Sequence, residues 1–195
     1  MTQTATTWTA PPRKIVLIRH AEKPPKTGPP PAGVREDGSE HDQSLIVRGW
    51  QRAGALAQYF GVPWDPAIER PDYIYSPPRH GDSGDHGRPN QTISPVAAKL
   101  NLAVDVTFVL DHERELVADA LARGGVILIS WEHKRIPRIA NAILGDTTTA
   151  PQDWPEERFD VTWVFDLQPG GGYRFSQRPQ QLLAGDRPDV ISTSG

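Results

Sequence analysis

Two stretches of the chain are apolar without interruption. Ile15-Val16-Leu17-Ile18 stops at Arg19 and His20, and Val126-Ile127-Leu128-Ile129-Ser130-Trp131 stops at Glu132 and His133. A short run with no polar alternation reads as a strand buried on both faces, as in a parallel sheet. Further strands are expected over residues 71–76 and 104–110. A hairpin around Pro169-Gly170-Gly171, with arms 161–167 and 172–175, should add edge strands. Between the strands, apolar positions recur at helical spacing. Ser44 is the expected N-cap of a helix carrying Leu45, Trp50, Ala53, Leu56, Ala57 and Phe60 and ended by Gly61. Pro89 sits as the first residue of a helix running through Ile93, Val96, Ala97 and Leu100. Two more helices are expected over 113–122, closed by Gly124-Gly125, and over 136–144, capped by Gly145. This alternation predicts an α/β fold, a mostly parallel central sheet covered by helices on both faces in three α/β/α layers.

Two segments break the pattern. Residues 22–43 form a long Pro-, Gly- and acid-rich loop in which Pro24, Pro25, Pro29, Pro30 and Pro31 exclude regular structure. Loops of that length inside compact domains are functional or disordered. Residues 76–88 are irregular as well. The threonine-rich residues 1–12 read as a disordered tail, with a single domain over 13–195. They lack the basic and apolar regions of a signal peptide, and no apolar run reaches the length of a membrane span.

Composition narrows the chemistry. The net charge is only −3, with no basic block, so bulk electrostatics give no reason to expect nucleic acid. The absence of cysteine excludes thiol catalysis, disulfides and cysteine metal sites. The expected setting is cytoplasmic, with no membrane partner; oligomeric state is not legible.

In open α/β sheets the site lies at the carboxyl ends of the strands, where Arg19, His20 and His133 fall. Arg88 stands at a helix amino terminus, whose free N–H groups favour an anion. Two arginines, two histidines and a helix end describe a phosphate site. Guanidinium groups hold phosphate oxygens bidentately, and a neutral imidazole can attack phosphorus.

Four segments carry a resemblance. Arg19-His20-Ala21-Glu22 resembles the Arg-His-Gly signature of the histidine phosphatase (phosphoglycerate mutase-like) superfamily. Leu45-Ile46-Val47-Arg48-Gly49-Trp50-Gln51-Arg52-Ala53 resembles its Leu-Thr-x-x-Gly-x-x-Gln-Ala helix. Tyr75-Ser76-Pro77 followed by Arg88-Pro89-Asn90-Gln91-Thr92 resembles its Ser-Pro-x-x-Arg-Ala-x-Gln-Thr element, and residues 128–133 its second-histidine strand. The resemblance implies a phosphoglycerate mutase-like fold and a phosphatase that needs no cofactor and no metal. His20 would be the phosphorylated nucleophile, with Arg19, Arg88 and His133 gripping the phosphoryl group. Glu22 is a further candidate for substrate binding. The substrate would be a phosphorylated small molecule or phosphopeptide; a mutase, or a non-catalytic relative that binds a phosphorylated partner, are the alternatives.

The sequence departs from the family at three places. Ala21 replaces glycine. An insertion over 78–87 separates Ser76 from the arginine: counting from Ser76 favours Arg79, and counting back from Thr92 favours Arg88, whose place at a helix start decides for it. Glu132 precedes His133 where the family has a small residue, and Lys134-Arg135 follow where it has glycines. For the general acid, Asp111, Glu113 and Glu115 lie in the expected segment and Glu113 ranks first, with Glu132 as a rival. His41, His80, His86 and His112 read as exposed loop residues. Asp82, Asp85 and His86 invite a metal reading, but their spacing fits no standard ligand pattern.

Overall fold

In a computed structural model, described here for residues 10–27, 30–79 and 87–192, the two apolar runs are neighbouring strands. Strand β1 (Lys14–Arg19) pairs in parallel with β4 (Val126–Trp131), with Arg19 opposite Trp131. All twelve residues of the two strands are buried. Full burial of each aliphatic side chain contributes roughly 1.5–3 kcal/mol, so this pair is the spine of the fold. Strands β2 (Tyr73–Tyr75) and β3 (Val104–Asp105) extend the parallel part, and β5 (Val161–Leu167) and β6 (Tyr173–Pro179) pair antiparallel on the other side of β1. The order is β3-β2-β4-β1-β5-β6.

Helices α1 (Val47–Gly61) and α2 (Gly87–Leu100) cover one face, where Leu56, Phe60, Ile93 and Val96 meet Val16, Ile18 and Leu128. Helices α3 (Glu113–Leu121) and α4 (Ile136–Leu144) cover the other, where Leu116, Ile136 and Ile139 meet Ile15, Leu17, Ile127 and Ile129. This is the expected three-layer α/β/α arrangement. Helix α4 has the expected bounds, and Gly145 closes it in the left-handed conformation (φ 76°) with its N–H on Asn141 O.

Several boundaries differ from the sequence reading. The strand expected over 104–110 pairs only at Val104 and Asp105, because the Asp105 carboxylate accepts the Thr107 N–H and turns the chain out of the sheet. Strand β5 is internal, between β1 and β6, so of the hairpin's two arms β6 alone is an edge strand; β6 runs on to Pro179 because its whole length pairs with β5. Ser44 does not cap α1. The cap position is Ile46, and the Ser44 hydroxyl instead accepts the Gln91 side-chain amide. The 22–43 segment contains an antiparallel bridge between Val34 and Glu40. Of the expected tail, residues 1–9 lie outside the described residues, while Pro12 is buried and its carbonyl accepts the Tyr173 hydroxyl at 2.7 Å.

Candidate active site

The register of the central strands brings the histidines together. Because β1 and β4 are parallel neighbours, their carboxyl ends lie at the same edge, and the His20 N–H continues the ladder to Trp131 O (3.1 Å). The rings of His20 and His133 are 6.1 Å apart, edge to face, and both residues are buried, at 4 and 6 % exposed.

His20 Nδ1 lies 2.8 Å from the Ala21 carbonyl oxygen. A carbonyl can only accept, so Nδ1 carries the proton and Nε2 keeps its lone pair. The ring is held well below the usual imidazole range, first by burial and then by the Arg19 charge, with Arg88 and His133 adding to the effect. A neutral ring with a fixed tautomer is the state a nucleophile requires.

Arg19 is 1 % exposed. Its Nη1 hydrogens are shared among the carbonyls of Pro155, Glu156 and Arg158 at 2.6–3.0 Å, and its guanidinium lies 3.9 Å above the Phe159 ring. Burial lowers its pKa to about 10, against the opposing pull of Glu132 and Glu156, so it stays a cation at neutral pH. Nε and Nη2 are buried with no hydrogen-bond partner among the described residues. Two unpaired N–H edges on one buried cation are what a phosphoryl group would satisfy.

Arg88, at the start of α2, donates from Nη2 to Asp42 O (2.8 Å) and to the Gln43 side chain (3.2 Å). Burial pulls its pKa down, and its charge acts on His20. Arg79, the other arginine the insertion left open, pairs with Glu36 (2.7 Å) and is 42 % exposed.

The motif residues between these groups prove to be the fasteners. Thr92 Oγ1 accepts the Ala21 N–H and donates to Arg88 O, both at 2.8 Å, tying the residue after His20 to the helix that carries Arg88. Gln91 accepts the Leu45 N–H, and Ser130 on β4 donates to Pro89 O. Gly49 of α1 is required by proximity: a Cβ there would sit 2.4 Å from the Glu22 carbonyl.

No protein-family model matches the sequence, and no curated protein matches it. Solved structures do match. A phosphoserine phosphatase mutant from Entamoeba histolytica, in complex with phosphoserine, is 14 % identical with TM-score 0.53, over 87 % of this chain and 98 % of that one. A mycobacterial glucosyl-3-phosphoglycerate phosphatase in complex with VO3 is 16 % identical with TM-score 0.51, over 84 and 97 %. A structure described as mycobacterial hydrolase 1 is 14 % identical with TM-score 0.50, over 84 and 96 %. The chain shares the α/β fold of these phosphatase structures.

Within that fold the carboxylates are not placed as the sequence suggested. Glu113 is buried, but one of its oxygens accepts both the Asp111 N–H and the Trp131 indole N–H at 3.1 Å. It lines a cavity of ≈ 810 Å³ walled by α3 and α4 residues that includes neither histidine. Asp111 is exposed and gripped by Arg135 and Arg138, and Glu115 is exposed on α3. Glu22 does not offer a free carboxylate to substrate, because Arg52 holds both its oxygens at 2.8–3.1 Å. The carboxylate that meets the site is Glu132, whose Oε1 lies 2.9 Å from His133 Nδ1. That close contact lacks hydrogen-bond alignment, and Nδ1 has no hydrogen-bond partner among the described residues. Burial pushes the Glu132 carboxyl up, but its contact with His133 and the nearby Lys134 hold it below the usual range.

The sequence reading missed Thr92 as a bridge, Phe159 as the plate under Arg19, and Arg52. His80, Asp82, Asp85 and His86 lie outside the described residues. Among the described residues no group of three or more His, Asp or Glu could hold a metal ion, and no helix is long and apolar enough to cross a membrane.

Proposed function

We propose that the protein is a phosphomonoesterase that carries the phosphoryl group on His20, acting on a phosphorylated small molecule or phosphopeptide. The observation that supports it most is the His20 tautomer: Nδ1–H is spent on Ala21 O, which leaves Nε2 as the free nucleophile in a ring kept neutral. Nε2 attacks phosphorus, the bond from phosphorus to the ester oxygen breaks, and the leaving alkoxide takes a proton. Water then attacks the phosphohistidine, the N–P bond breaks, and inorganic phosphate leaves. Arg19, through Nε and Nη2, with Arg88 and His133, would hold the phosphoryl oxygens and meet the charge that develops on them.

Of the carboxylates, Glu132 is the better candidate for proton transfer, because it contacts a phosphate-gripping residue while Glu113 is committed to two N–H donors. Glu132 is ionised in the free enzyme and would take up the proton it donates when a bound phosphate places a second negative charge beside it. A cavity of ≈ 650 Å³ lined by Lys23, Lys26, Glu40, Asp42 and Gln43 shares Arg88 with the site and includes neither histidine. Phosphatases are among the proteins that share the fold. The reading is tested by turnover of 4-nitrophenyl phosphate in the presence of a chelator. Wild type should release phosphate and His20→Ala should not; equal turnover by both would refute it.

A further inference from the structure

The loop that follows the nucleophile is held from the far end of the chain. Arg52 on α1 is 2 % exposed and uses all five of its N–H donors. Nε and Nη2 bind the Glu22 carboxylate, two residues after His20. Nη1 reaches Gln180 (3.0 Å), and the remaining two hydrogens form a fork on Asp186, at 2.7 and 3.0 Å. Asp186, with a side chain 3 % exposed, also accepts the N–H groups of Leu182 and Leu183. The segment that carries it is pinned down on both sides. Arg187 N–H and Gln180 N–H go to Asp160, and buried Ile191 exchanges hydrogen bonds with the Gln177 side chain.

One buried cation therefore lies between two buried carboxylates, and each fixes the other's geometry. Glu22, bound through Nε and Nη2, aligns one edge of the Arg52 guanidinium, and Asp186, bound through Nη1 and Nη2, ties that plane to the C-terminal segment. With Asp186 on one edge, the opposite edge of the fork presents itself to Glu22 in one orientation. Glu22 is then kept off Arg19, on whose charge it acts, and the turn that supplies the Ala21 carbonyl to His20 Nδ1 is kept rigid.

We infer that Asp186 is a positioning residue for His20, acting through Arg52 and Glu22. The inference rests on His20 as the nucleophile, and its test separates the two. Asp186→Asn keeps the shape of the side chain and removes its charge. The rate of His20 phosphorylation by 4-nitrophenyl phosphate in a single turnover should fall about tenfold or more, as expected for a small misplacement of an attacking atom. The inhibition constant of inorganic phosphate should stay within about twofold, because Arg19 and Arg88 are not touched. Ile191→Ala is the control. It loosens the same segment and lowers Tm while leaving the phosphorylation rate unchanged well below Tm. If Asp186→Asn does not fold, Arg52→Lys, which keeps the buried charge but loses the fork, should show the same loss of rate. A folded Asp186→Asn with wild-type phosphorylation overturns the inference, as does an equal loss of rate in Ile191→Ala. Absence of label on wild-type His20 overturns the nucleophile assignment itself, before any variant is compared.

Discussion

The choice between Arg88 and Arg79 turns on where the insertion over 78–87 is placed, and the two side chains have different surroundings. Arg88 is part-buried, bonds among the described residues only to neutral oxygens, and is close enough for its charge to act on His20. Arg79 spends its charge on Glu36 in a pair that is 42 and 50 % exposed. Removing a preorganised donor from the transferring group costs roughly 2.7–4 kcal/mol, or about 10²–10³ in kcat. Removing one partner of an exposed pair costs roughly 0.2–1 kcal/mol of stability and no chemistry. Arg88→Ala should therefore lower kcat for 4-nitrophenyl phosphate by about two to three orders of magnitude, and Arg79→Ala by less than about twofold. A second signature follows from charge. Arg88 disfavours the His20 imidazolium, so its loss lets the ring titrate at higher pH, and the acid limb of kcat/KM should move upward in pH. Arg79→Ala should leave that limb in place. Loss of activity in Arg79→Ala equal to that in Arg88→Ala, or an unmoved acid limb in Arg88→Ala, would refute the reasoning.

Two further outcomes follow. His20 is held below its unfolded value of about 6.5, so the unfolded chain takes up a proton that the native state refuses. Wild-type stability should then fall by about 1.4 kcal/mol per pH unit as pH drops below about 6.5, until the folded ring protonates; urea titrations of His20→Gln at pH 7 and 5.5 should lack that slope. Glu132→Gln should slow alkyl phosphates, whose leaving groups need a proton, far more than aryl phosphates, whereas Glu113→Gln should slow both alike through displacement of Trp131.

The fold was largely legible because its organising strands carry an extreme signal. Nine of the twelve residues in β1 and β4 are apolar, Lys14, Arg19 and Ser130 being the exceptions, and a histidine follows within two residues of each strand's end. Short strands were less legible, since β3 ends where the Asp105 side chain takes a backbone N–H, a local choice that apolarity does not encode. At the site, His20, Arg19 and His133 could be placed because the end of a strand is a defined position in space. Glu22 and Glu113 could not be placed from their positions in the sequence. Their partners are Arg52, thirty positions away, and Trp131, eighteen positions away, and no local spacing announces such pairs. The same holds for Asp186 and Arg52, which are separated by 134 positions.

The central claim is the covalent step. Wild-type protein mixed with ³²P-labelled phosphoester and quenched in base should retain label that is lost in acid, and peptide mapping should place it on His20. The tautomer fixed by Ala21 predicts attachment at Nε2. Label on another residue, or full turnover with no base-stable label at any quench time, would contradict the account.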